Sequence, residues 1–287
     1  MPALGQKGQP MVWKTITTQL SNPNRAEVLL SVAGRLAERF EAHLVGLDAT
    51  PSFTFAAPMV TTVDVEAIAA AQRERSEKLK TIFAAAVSNR AFVAEWRELT
   101  LVKSDLVAAV LDQARASDLI VASQSDPDWE LSGLFDFPER LVMESGRPVL
   151  LVPYAGAYGE VGKRITIAWS GKREGARAAF DALPLLKEAE DVTLLCVVAR
   201  AGDAEPGELL GTEIAAALAR HDVKVTVQKS VAEEIGVADD ILSRLADSGA
   251  DLLVMGAYGY SRLREMVFGG VTQHMLRHMT VPTLMSH

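Results

Sequence analysis

The 287-residue sequence predicts two tandem α/β domains, each a doubly wound sheet of five parallel strands with helices on both faces. Three observations lead there. First, the text from Lys14, "KTITTQLSNPNRAEVLLSVAGRLAERFEAHLVGLDA", has a counterpart from Lys163, "KRITIAWSGKREGARAAFDALPLLKEAEDVTLLCVVA". Second, the halves close alike: "ARASDLIVASQS" resembles "ADSGADLLVMGAYG", and "MESGRPVLLVP" resembles "LRHMTVPTLMS". Third, at roughly 100–200 residues per domain the length calls for two.

Each opening segment reads as a short apolar strand, a polar loop, a helix with apolar residues at three- and four-residue steps, and a second strand. That is a βαβ unit, which implies parallel strands joined by a right-handed crossover. In the first half a long amphipathic helix follows over 65–86, with "QRERSEKLK" as its solvated face, then a strand over 91–99 and a helix over 104–116. Asp118 opens the next apolar strand, and 149–152 closes the unit. The Gly-rich "YAGAYGEVG" over 154–162 reads as a linker. This divides the chain into 1–153, 154–162 and 163–287. In the second half the corresponding elements are a helix over 209–221, a strand over 223–229, a helix over 237–248, the strand after Asp251 and a closing strand over 281–285. Asp118 and Asp251 sit at strand starts and are expected to be structural.

With 49% hydrophobic and 23% charged residues, the chain has the composition of a globular protein. Its apolar runs fall short of the ~20 residues a membrane-spanning helix needs. The opening "MPALGQKGQPMVWKTI" lacks the pattern of a secretory signal, and the single cysteine, Cys196, cannot make an intrachain disulfide. A cytoplasmic location is the expectation. The net charge of −8 opposes nucleic-acid binding. Cys196 reads as a small buried apolar group. His274 and His278, four apart, lack a third ligand type and read as structural. The apolar stretch "TPSFTFAAPMVTT" over 50–62 reads as a lid or contact surface, or as a segment packed on its own domain.

The chemistry concentrates after the fourth strand of the second half, where Gly256-x-x-Gly259 is followed, nine residues later, by Gly269-Gly270-Val271-Thr272 at a helix start. Backbone N–H groups at a helix N-terminus favour an anion. Glycines at 256 and 259 would let the main chain approach a sugar and a phosphate, the Thr272 hydroxyl adds a donor, and Arg262 and Arg264 lie within the same loop. The spacing resembles the G-x2-G-x9-G-[S/T] signature of the universal stress protein family, and the resemblance extends over nearly the whole chain as two tandem copies. It implies an adenine-nucleotide-binding α/β fold, ATP, with or without Mg2+, held at Gly256, Gly259, Gly269, Gly270, Val271 and Thr272, and adenine near Val197 and Val198. Two positions depart from the family pattern. Gly270 replaces a hydroxyl residue, and Ser170 stands where nucleotide-binding members commonly carry an Asp.

The first half lacks this signature. Its matching text, "SQSDPDWELSG", carries Asp126, Asp128 and Glu130 where phosphate would sit, so it reads as a degenerate copy. No G-x4-G-K-[ST] loop, Ser-His-Asp set or paired carboxylates accompany the second-half loop. The implied activity is a nucleotide-responsive stress or signalling protein, at most a slow ATPase or self-phosphorylating protein with Thr272 as acceptor. The alternative is a nucleotide-free scaffold that binds a protein partner. By the same resemblance, the strands at 149–152 and 281–285 are expected to meet as an intrachain pseudo-dimer, and a homodimer is a further expectation.

Overall fold

A computed structural model describes residues 12–51, 65–101, 105–200, 211–232, 235–258 and 270–287. The first half runs β1 (Thr15–Gln19), α1 (Pro23–Phe40), β2 (His43–Pro51), α2 (Val65–Val87), β3 (Ala94–Leu101), α3 (Leu106–Ala114), β4 (Leu119–Ser123), α4 (Ser132–Phe135), α5 (Pro138–Glu144) and β5 (Val149–Val152). The second runs β6 (Arg164–Ala168), α6 (Arg173–Asp181), α7 (Leu183–Leu186), β7 (Asp191–Val198), α8 (Thr212–Ala219), β8 (Thr226–Val231), α9 (Val237–Ser248), β9 (Leu252–Gly256), α10 (Gly270–His278) and β10 (Thr283–Ser286).

The ten strands among the described residues form one sheet, ordered β3-β2-β1-β4-β5-β10-β9-β6-β7-β8. Within each half the neighbours are parallel, and the order reverses between β1 and β4, and again between β6 and β9. The crevice beyond the carboxyl ends of the strands at such a reversal is where doubly wound sheets bind ligands. The halves join through β5 and β10, which pair antiparallel with Leu150 opposite Leu284. Both strands are wholly buried. Unpaired, each would be an apolar sheet edge open to aggregation. Pairing removes both edges and makes the two core layers continuous: Leu150 and Leu284 share the layer beneath α1 and α6, while Val149 and Met285 share the layer beneath α3, α5, α9 and α10.

Local chemistry sets the element ends. Asn22 caps α1, its side chain accepting the Asn24 N–H at 2.9 Å, and Pro23 takes the first turn, where no amide donor is needed. Asp118 accepts the N–H groups of Lys14 and Thr15, and Asp251 those of Gly162, Lys163 and Arg164. Each carboxylate thus staples the first strand of its half to the fourth. Between Val152 and Arg164 there is no helix or strand; Arg25 of α1 holds this stretch by donating to the carbonyls of Pro153 and Gly156.

Several expected boundaries shift. The third strand begins at Ala94 rather than near 91, because the turn after α2 takes Asn89 into the left-handed region, φ 62°. Likewise Asp222, φ 66°, prolongs the turn after α8, and β8 begins at Thr226 rather than 223. Pro184 splits the first helix of the second half into α6 and α7. The charged run in α2 is not a uniformly solvated face: Arg75 and Ser76 are buried. Of the apolar stretch 50–62, all but its first two residues lies outside the described residues. No helix among those described is long and apolar enough to cross a membrane.

Candidate functional site

At the sheet reversal of the second half, three strand ends and two helices enclose a cavity of about 170 Å³. Ala168, Trp169, Ser170 and Lys172 line it from the end of β6 and the turn into α6; Leu195 and Val197 from β7; Met255, Gly256 and Tyr258 from the end of β9; Val237 and Ile241 from α9; and Val271 and Thr272 from α10. The Trp169 N–H donates to the Leu195 carbonyl at 2.9 Å, extending the β6–β7 ladder to the cavity edge. Beyond β9, Tyr258 turns the chain in the left-handed region, φ 54°, and its N–H donates to the Thr272 hydroxyl oxygen at 3.2 Å. That bond fixes the first turn of α10 to the strand end, and it leaves the Thr272 proton available to a second acceptor.

Of the residues singled out from the sequence, Ser170, Val197, Gly256, Val271 and Thr272 converge on this cavity. Val198, the last residue of β7, is not among its lining residues. Gly270 begins α10, exposed, with open space where a Cβ would stand. Gly259, Gly269, Arg262 and Arg264 lie outside the described residues. Gly256 lines the cavity, and its lack of a side chain also has a structural reason. A Cβ there would lie 2.4 Å from the carbonyl carbon of Glu174 and from the Gly175 nitrogen, so the missing side chain admits the backbone of α6.

Sequence reasoning missed Lys172 and Trp169. Lys172 lies two positions after Ser170 in the same polar loop, and that placement was the available signal. Among the described lining residues Lys172 is the single cation and there is no carboxylate. One wall is apolar, from Leu195, Val197, Val237, Ile241, Met255 and Val271; the rim offers Ser170, Lys172 and Thr272. Such a site can hold a flat apolar ring against its wall and an anionic group at its rim. Among the described residues no group of three or more His, Cys, Asp or Glu side chains is placed to hold a metal ion. His274 instead contacts Asp239, Nε2 to Oδ1 at 3.0 Å. Cys196 is buried on the opposite face of β7, and burial pushes its thiol pKa up.

The corresponding place in the first half is filled. Matching registers equate Gln19 with Ala168 and Ser21 with Ser170, since Gln19 pairs with Leu47 as Ala168 pairs with Leu195. Over these positions lies α4: the Phe135 carbonyl accepts from Gln19 Nε2 at 3.1 Å, and Asp136 accepts from the hydroxyls of Ser21 and Ser132. Phe135 is 1% exposed. Beneath it the Arg75 guanidinium, 4.5 Å from the ring centroid, donates to the Asp48 carboxylate, the Thr50 hydroxyl and the Ser21 carbonyl, each at 2.8 Å. The obstacle to a ligand is therefore largely steric. Asp126 does face the site, accepting from Asn22, but Asp128 and Glu130 are exposed. Asp136, half-buried at the site, has its pKa raised by desolvation.

Residues 162–287 match the model of the universal stress protein family. A curated universal stress protein from Synechocystis sp. is 41% identical over 51 residues, a match spanning 17% of this chain and 18% of that protein. Among solved structures, a universal stress protein from Archaeoglobus fulgidus superposes with a TM-score of 0.68 at 15% identity, over 95% of each chain. A functionally unknown protein from Pseudomonas aeruginosa superposes with a TM-score of 0.51 at 16% identity, over 96% of this chain and 92% of that one. At such identities the superpositions speak for the fold, and they do so along almost the whole length.

Proposed function

The chain belongs to the universal stress protein family, and we propose that it binds ATP or a related adenine nucleotide in its C-terminal half and acts as a nucleotide-responsive stress or signalling protein. The observation that carries this reading is the cavity at the β6–β9 reversal, with its apolar wall, its cationic rim and the start of α10 beside it. In this reading the base lies against Val197 and Ile241, and the phosphates meet Lys172, the Thr272 hydroxyl and the N–H groups that open α10. The lysine supplies a charge that offsets the missing hydroxyl at Gly270. Mg2+, where present, arrives on the phosphates. The domains are 1–153 and 163–287, linked by 154–162, and the filled first-half site leaves one nucleotide per chain.

Turnover, if measured, is slow hydrolysis or phosphate transfer to Thr272, because the described lining residues offer no general base beside that hydroxyl. The cytoplasm is the compartment that fits a chain with one buried thiol. Calorimetry of the full chain with Mg-ATP tests the reading: one site per chain is expected, and no binding heat at millimolar nucleotide refutes it. Gly259→Asp is expected to abolish binding; unchanged affinity would displace the site. The second reading, a nucleotide-free scaffold, is favoured by Ser170, which leaves the described rim residues without an acid for a ribose, and the same titration decides between them.

A further inference from the structure

We infer that Gln124, a residue of the first half, is a positioning residue for the nucleotide site of the second, acting through α10. The inference rests on the nucleotide reading above. Gln124 follows β4 and is 1% exposed. Its Nε2 donates to the Leu276 carbonyl at 2.9 Å, and its Oε1 accepts the Tyr154 N–H at 3.1 Å. Leu276 lies in the last turn of α10, where carbonyls have no partner within the helix. The other end of the same helix supplies Val271 and Thr272 to the cavity, and Thr272 is tied to Tyr258. The helix is thus held at both ends, at one end by the strand it follows and at the other by the opposite half of the chain.

The arrangement is one-sided. Ala257 is the counterpart of Gln124, because the Gln124 N–H donates to the Val152 carbonyl as the Ala257 N–H donates to that of Ser286. A methyl group there has no donor to extend toward α5. From this ladder position the crossing bond therefore runs toward the helix that borders the open cavity. In the other direction Arg177 of α6 donates to the Gly146 carbonyl, past the end of α5, and α5 itself is left unheld from that ladder position. Because α10 is a short rod, releasing its C-terminal turn lets the whole helix tilt, which moves Val271 and Thr272 at the cavity. A packed side chain with two satisfied polar ends is a discrete state, and such states carry coupling between sites.

The test uses the full chain with Gln124→Met, which keeps volume and loses both bonds, and Gln124→Glu, which keeps the acceptor for Tyr154 and loses the donor to Leu276. In both, hydrogen exchange of the α10 amides without nucleotide is expected to rise while that of the β1 and β2 amides stays put. Binding of Mg-ATP well below the unfolding temperature is expected to weaken by up to about tenfold, the net worth of one or two neutral hydrogen bonds. General destabilisation would not move that affinity. Unchanged α10 exchange, or faster exchange with unchanged affinity, overturns the inference while leaving the nucleotide site standing. A wild-type chain that binds no Mg-ATP sinks the nucleotide reading instead, and this inference with it.

Discussion

Arg75→Met removes the cation from beneath the closed first-half site. Arg75 is 8% exposed and Asp48 is 0% exposed, so the variant leaves a carboxylate in the sheet without its counter-charge. Breaking a buried pair in this way costs about 3–5 kcal/mol. At about 2–4 °C per kcal/mol for a chain of this size, the melting transition of the first half should fall by on the order of 6–20 °C. Calorimetry or urea denaturation followed in the full chain measures the loss. The double variant Asp48→Val/Arg75→Met removes the stranded charge as well, and the second half shows that an apolar residue is accommodated there, since Asp48 and Cys196 occupy equivalent ladder positions. It does not restore donors to the Ser21 carbonyl and the Thr50 hydroxyl, so a residual loss of about 1–3 kcal/mol is expected. A single variant that loses less than about 1 kcal/mol would refute the reasoning, because that is the worth of a solvent-exposed pair. A double variant no better than the single one would show that packing on Phe135, not charge, is what Arg75 contributes.

Three further outcomes follow from the same geometry. Gly256→Ala puts a Cβ 2.4 Å from the backbone of α6; it should cost about 1–3 kcal/mol by overpacking, read by thermal melting, and weaken Mg-ATP in calorimetry. Lys172→Ala should weaken Mg-ATP by about tenfold or more, the worth of a charge-assisted hydrogen bond, and leave adenosine affinity unchanged; equal effects on both ligands would place Lys172 away from the phosphates. Asp136 has its pKa raised by desolvation, with Asp126 adding to the rise. A carboxyl whose folded pKa lies above its unfolded value opposes folding once ionised, so that penalty is absent below about pH 4 and grows as pH rises through the raised folded value. The stability of Asp136→Asn relative to wild type should therefore improve as pH rises from 3 towards neutrality in urea titrations, and a constant difference would remove Asp136 from the account.

The fold was legible because the two halves repeat both their openings and their endings, and because a short apolar strand after Ser-Asp or Ala-Asp is a local signal. Strand starts after α2 and α8 were not legible, since Asn89 and Asp222 take left-handed turns that glycine usually marks. At the site, Ser170, Val197, Gly256, Val271 and Thr272 were legible from strand ends and loop spacing, which local sequence encodes. The reason for Gly256 was not, because the atoms it makes room for belong to α6, far earlier in the chain. Arg75 was hidden for the opposite reason: it sits in a run of charges that periodicity assigns to solvent, and only the closure of α4 over the sheet buries it.

Three equivalent positions account for much of the difference between the halves. Where the first half has Asp48, Ser123 and Gln124, the second has Cys196, Gly256 and Ala257. In the first set Asp48 and Gln124 make bonds that run across the sheet end: Asp48 holds Arg75, and Gln124 reaches α10. Gly256 and Ala257 in the second set have no side chain that could reach so far. Gly256 lets α6 close on the strand, and the space beyond the strands stays open between Trp169 and Ile241. A sheet repeated twice thus yields one plugged end and one open end, with the plugged half bracing the helix that borders the open one. Exchanging Ala257 for Gln should therefore not open the first site, because what closes it is Phe135 and Arg75 and not the slackness of α5; fluorescence quenching of Trp129, stacked on Phe135 at 5.8 Å, should stay as in the wild type.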